Sequence, residues 1–149
     1  SFGEAYAKAQ TASGVTIPTR GVCLISVRER DKPGAIKLAR LLIDRGFEIV
    51  ATHGTADALD TAGVRCRRAN KVREGRPHVV DMIKNNEIAL VINTVEERRN
   101  AIADSRAIRT SALLARVTTF TTIAGARAAC TGMKALAALE AAPLHVAQK

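Results

Sequence analysis

Aromatic side chains are nearly missing from this chain, which has no Trp, one Tyr and three Phe among 149 residues. Proteins that hold single-stranded nucleic acid stack its bases on such rings. The formal net charge of +9 therefore lacks the platforms that would turn it into a nucleic-acid surface, and no nucleic-acid partner is expected. The charge is also dispersed, apart from the cluster Arg65, Arg67, Arg68, Lys71, Arg73 and Arg76, which a small phosphorylated ligand could use equally well.

Cysteine is sparse too. Cys23, Cys66 and Cys130 are odd in number, widely spaced and form no CxxC pair. That pattern argues against a disulfide framework or a thiolate metal site and for reduced thiols in a cytoplasmic compartment. No apolar run nears the roughly 20 residues that a membrane-spanning helix needs, and no charged-then-apolar leader opens the chain. No membrane association is expected. P-loop and GxGxxG fingerprints are likewise absent.

The rest is enough for one globular domain. The chain opens on Ser1-Phe2-Gly3-Glu4 without Met, and the expectation is an excised piece of something longer. Residues 1–20 read as a short helix over 4–11 followed by a Gly/Pro/Thr linker. With only small apolar side chains, that helix is expected to pack on a neighbouring domain. Residues 21–142 form the domain proper and 143–149 a tail.

Beyond Gly21, short apolar runs alternate with helical stripes. Strands are expected over 22–27, 47–51, 64–69, 88–92 and 117–120, with the fourth reading as the central strand and the third, rich in Arg, as an exposed edge. Helices are expected between them: one capped by Asp31 and ending at Gly46, one stopping at Gly63, one opened by Pro77, one over 98–114 and an Ala-rich one over 124–141. Alternation of this kind implies an α/β fold, a single doubly wound domain with an about five-stranded parallel sheet and helices on both faces.

In such sheets ligands bind at the carboxyl ends of the strands, where helix N-termini offer free N–H groups. Those ends here carry Ser26 with Lys32, Thr52-His53-Gly54-Thr55, the basic loop holding Lys71, Asn93-Thr94, and Thr118-Thr119 with Thr121-Thr122. Each has an ordinary use as a cap, a turn residue or a solvated lysine. Together, hydroxyls, amides and two lysines on one sheet edge suit a nucleoside monophosphate. Catalysis needs a nucleophile beside a base, and His53, the one histidine at a strand end, has no Asp or Glu beside it. No catalytic residue, no metal site and no resident cofactor are expected.

The runs Ser26-Val27-Arg28, Ala51-Thr52-His53-Gly54-Thr55, Asn70-Lys71-Val72-Arg73-Glu74-Gly75-Arg76-Pro77-His78, Ile92-Asn93-Thr94 and Asp104-Ser105-Arg106 resemble the C-terminal allosteric domain of carbamoyl phosphate synthase large chains, a member of the methylglyoxal-synthase-like superfamily. The resemblance covers about residues 1–140. It implies a regulatory domain that binds UMP, an inhibitor, or IMP, and that contributes to ornithine activation in pyrimidine and arginine biosynthesis. Carried over, Ser26, Lys32, Thr52, Thr55 and Lys71 hold phosphate and ribose, Asn93 and Thr94 face ribose or base, and Asp104 and Thr121 belong to the ornithine site and its coupling. The implied partners are the neighbouring synthetase domains and the small glutaminase chain, and ATP, Mg and K act in those other parts of the parent enzyme.

Two departures from the family stand out. Val95 occupies a position where many members carry Thr or Pro, and Glu96-Glu97-Arg98-Arg99-Asn100 replaces the usual Gly-Arg-Arg-Ala. The alternative reading is a methylglyoxal synthase acting on dihydroxyacetone phosphate. That family places an Asp after the central strand, where this chain has Asn93-Thr94.

Overall fold

The computed structural model describes residues 18–95 and 99–141. The helix expected over 4–11 and the tail over 143–149 lie outside them. Five parallel strands, β1 Gly21–Ser26, β2 Phe47–Thr52, β3 Arg67–Ala69, β4 Leu90–Asn93 and β5 Thr118–Phe120, form one sheet in the order β3-β2-β1-β4-β5. Five helices accompany them: α1 Lys32–Asp44, α2 His53–Thr61, α3 Val79–Lys84, α4 Arg99–Leu114 and α5 Ile123–Ala141.

Alternation of side chains along each strand explains why the apolar runs are continuous. Cys23 and Ile25 of β1, Ile49 and Ala51 of β2, and Leu90 and Ile92 of β4 join one buried cluster with Leu38 and Leu42 of α1, Leu59 of α2 and Ala126 of α5. Leu24, Val50 and Val91 point to the opposite face and join Val79 and Ile83 of α3 with Ile108 and Ala112 of α4. A strand covered on both sides has no solvent face to mark with polar residues.

Several boundaries differ from expectation, each for a local reason. The centre of the sheet is β1, with β4 internal beside it. The third strand shortens to Arg67–Ala69 because Val64 is taken up in closing α2: Gly63 has φ +76°, the Val64 N–H donates to the Leu59 carbonyl at 2.9 Å, and the Val64 side chain is buried. The third helix starts two residues after Pro77 because extended His78 takes the N-cap position, its Nδ1 accepting from the Asp81 N–H at 3.3 Å. Asp31 stands at the N-cap of α1 but makes no capping bond, since its carboxylate is held by Arg28 Nε at 2.6 Å.

The chain winds outward from β1 through β2 to β3, then returns to the other side of β1 for β4 and β5. The connections that leave β1 and β4 therefore diverge, and a crevice opens above their carboxyl ends.

Candidate functional site

Neighbouring parallel strands end together, so their last residues meet. Ser26 of β1 is in register with Asn93 of β4, and the Thr52 hydroxyl of β2 donates to Ser26 Oγ at 2.9 Å. The Val27 N–H donates to Thr55 Oγ1 at 3.1 Å, and the Arg28 N–H donates to Thr94 Oγ1 at 2.9 Å. Ser26, Thr52, Thr55 and Thr94 are all buried. In these bonds the oxygens of Ser26, Thr55 and Thr94 accept, which leaves each hydroxyl proton available to a ligand.

The start of α2 adds a positive pole. Its N-cap Thr52 makes no capping bond, because that hydroxyl is spent on Ser26. The first-turn amides, carrying about half a positive charge at the helix end, open onto the cavity that Gly54 and Thr55 line. Lys32 hangs over this end, with Nζ 3.4 Å from where a Cβ on Gly54 would stand, and is steadied by Glu29. Lys71 approaches from the turn at Val72–Glu74, where its backbone N–H donates to Glu74 Oε1 at 2.6 Å. Its ammonium forms no ion pair among the described residues.

These groups enclose a cavity of about 130 Å³. Among the described residues, its wall carries three cations, Arg28, Lys32 and Lys71, against the single carboxylate of Asp104. Asp104 is 6% exposed and meets Arg73 at 2.9 Å. Neither described histidine is on the wall: His53 Nε2 lies 2.9 Å from Asn70 Oδ1, and His78 caps α3. An anion is the natural guest of such a wall.

The sequence-derived residues thus divide. Ser26, Lys32, Thr52, Thr55, Lys71 and Thr94 share one wall, and Asp104 joins them there. Asn93 does not. Its side chain is 1% exposed, donates through Nδ2 to the Ser26 carbonyl at 2.9 Å, and leaves Oδ1 without a protein partner. It staples β4 to β1 behind the cavity. Thr121 is exposed just beyond the end of β5 and is not among the residues that line the cavity, while its neighbour Thr122 accepts from the Gly125 N–H at 3.0 Å in the first turn of α5.

Sequence reasoning missed Arg28, Ala101, Ser105 and Ile108 as wall residues. The last three, with Asp104, form an i, i+3, i+4, i+7 stripe on α4, a spacing that was there to be read. Glu96 and Glu97 lie outside the described residues.

The cysteines stand apart from the wall, and no group of three or more His, Cys, Asp or Glu suited to a metal occurs among the described residues. Burial raises the Cys130 thiol to about 11 and pushes the fully buried Cys23 well above its ordinary value. Cys66, half-buried, is raised by burial and then by Asp60. A raised value leaves less thiolate at a given pH. At pH 8, iodoacetamide is expected to label Cys66 first, with Cys130 and Cys23 reacting only as the protein unfolds; mass spectrometry of timed aliquots reads the order.

Comparison with known proteins gives the family. The model of the MGS-like domain matches residues 34–121. The chain is 57% identical over 140 residues to the carbamoyl phosphate synthase large chain of Ralstonia nicotianae, covering 94% of this chain and 13% of that protein. It is 54% identical over 134 residues to the large chain of Pseudomonas putida and 45% identical over 146 residues to that of Rhizobium meliloti, covering 90% and 97% of this chain and 12% of each relative. The chain thus spans about one eighth of the length of the curated relatives it matches. Among solved structures, the methylglyoxal synthase of Elizabethkingia anophelis superposes with a TM-score of 0.59 at 16% identity, covering 74% of this chain and 77% of that one. ForH follows with a TM-score of 0.53 at 17% identity, covering 76% and 82%. At such identities these two describe the fold.

Proposed function

The chain belongs to the MGS-like domain family, and from that premise we propose that it is the regulatory domain of a carbamoyl phosphate synthase large chain, binding a nucleoside monophosphate without catalysing a reaction of its own. The observation that carries this reading is the convergence of three hydroxyl donors, an uncapped helix start and two lysines on one cavity. The phosphate sits at the start of α2, taking first-turn N–H groups with the Ser26, Thr55 and Thr94 hydroxyls, while Lys32 and Lys71 neutralise its charge. Helix N-termini hold phosphates in just this manner. The nucleoside extends toward the open side of the cavity, with UMP and IMP as the two candidates.

Engagement of Asp104, a carboxylate on the wall, by Arg73 supports binding over turnover. A ligand held this way shifts a two-state equilibrium of the parent ligase by the 1–3 kcal/mol or so typical of allosteric coupling. The parent's ATP- and Mg-dependent steps, its K requirement, its glutaminase partner and its cytoplasmic place in pyrimidine and arginine biosynthesis belong to this same proposal. Within it, exposed Thr121 is suited to contact a neighbouring synthetase domain in the ornithine response, whereas Asp104 serves the nucleotide cavity first.

Calorimetric titration with UMP, and with uridine as the control, tests the reading. Four charge-assisted bonds of roughly 1.5–3 kcal/mol each put UMP in the micromolar range after binding costs. Saturable binding of UMP with little or none of uridine is the expected result. Equal binding of the two removes the phosphate anchor from the argument, and silence of UMP and IMP alike removes the proposed function.

A further inference from the structure

Among the described residues, the cavity carries one side chain of the wrong sign. Ala101, Asp104, Ser105 and Ile108 turn one stripe of α4 toward it, and within that stripe Asp104 places a carboxylate, 6% exposed, beside the seat of an anion. An uncompensated carboxylate there would repel the guest through a poorly screened medium. It is compensated from across the fold. Arg73 NH2 donates to Asp104 Oδ2 at 2.9 Å, and Arg73 lies two residues after Lys71, on the same turn.

We propose that Arg73 is a positioning residue: it masks the Asp104 charge and so keeps the cavity cationic. The inference rests on the anion-binding reading above. The geometry favours a mask over direct contact with the ligand, because Arg73 is absent from the cavity wall while Asp104 is on it. It also explains how a carboxylate is tolerated in an anion site: the pair presents itself to the guest as nearly neutral. Truncating Arg73, whose side chain is half exposed, leaves Asp104 buried and charged, whereas neutralising both does not.

A double-mutant cycle on UMP affinity, measured by calorimetry with thermal unfolding of each variant, tests this. Arg73→Met is expected to weaken binding about tenfold or more, and Arg73→Lys to stay within about threefold of the parent chain. Asp104→Asn is expected to bind at least as well as the parent, since it removes the repulsion and frees Arg73. The double variant Arg73→Met/Asp104→Asn is expected to recover to within about threefold. That recovery is what a merely structural latch, or an arginine touching the phosphate, cannot give. A double variant as weak as Arg73→Met overturns the mask, and so does an Asp104→Asn variant that loses affinity. A parent chain silent toward both UMP and inorganic phosphate overturns the functional reading and the mask with it. A parent that binds while the cycle shows no recovery overturns the mask alone.

Discussion

Replacing Lys32 and Lys71 together by glutamine is expected to weaken UMP binding by roughly two to four orders of magnitude while the fold stays intact. Each ammonium offers the phosphate a charge-assisted bond of about 1.5–3 kcal/mol, and 1.4 kcal/mol is tenfold in affinity. Lys71→Gln alone is expected to cost about ten- to hundredfold, because its ammonium forms no ion pair within the described fold and is free to serve the ligand. Lys32 differs in being steadied by Glu29, so part of its gain on binding is offset by a weakened pair.

The fold is expected to survive for a stated reason. Lys32 stands in the first turn of α1, where a cation opposes the helix dipole by about 0.3–1 kcal/mol. Removing it relieves that cost and forfeits a surface ion pair of similar small worth. Lost affinity with an unchanged melting temperature is therefore the signature of a ligand lysine. A fall in melting temperature matching the fall in affinity would make these lysines structural, and unchanged affinity would sink the anion site.

The sequence made the architecture legible because both periods were clean. Runs such as Leu90-Val91-Ile92 are apolar at every position, which only a strand covered on both faces requires, and Ile92 and Val91 do fall in opposite clusters. Boundaries were harder where one residue could serve two purposes. Val64 has a strand former's side chain yet is spent on closing α2. Pro77 reads as the opening of the third helix, but extended His78 caps it and the helix starts at Val79.

The site was legible as far as strand ends go, since parallel strands must finish on one edge. What no local pattern could convey is which way each side chain turns once there. Asn93 looks like a ligand residue beside Thr94, but alternation along β4 sends its amide back to the Ser26 carbonyl, leaving Thr94 on the wall. Arg73 and Asp104 are 31 residues apart and meet only because the β3–α3 turn and α4 flank the same cavity.

The second large effect concerns stability. Ile92→Ala is expected to destabilise the domain by about 2–5 kcal/mol, the cost of losing buried methyl groups plus the cavity left behind. Ile92 is 0% exposed and sits on the internal strand β4 between β1 and β5. Its neighbours there are a sheet and packed helices, which cannot collapse around a void as a loop could. Against a total of about 5–15 kcal/mol for a domain, that is a large share, and the melting temperature is expected to fall by about 5–15 °C. Leu113→Ala makes the control, because Leu113 is 78% exposed and its loss removes little buried surface; its melting temperature is expected to stay within about 2 °C. Ile92 also immediately precedes Asn93 and Thr94, so loosening β4 should blur the cavity wall before the sheet is lost. UMP affinity of the Ile92→Ala chain, measured well below its melting temperature, is accordingly expected to fall several-fold more than that of the Leu113→Ala chain. Equal stability of the two variants would contradict the placement of β4 inside the sheet, and equal affinity would mean that the wall does not depend on the strand that leads into Thr94.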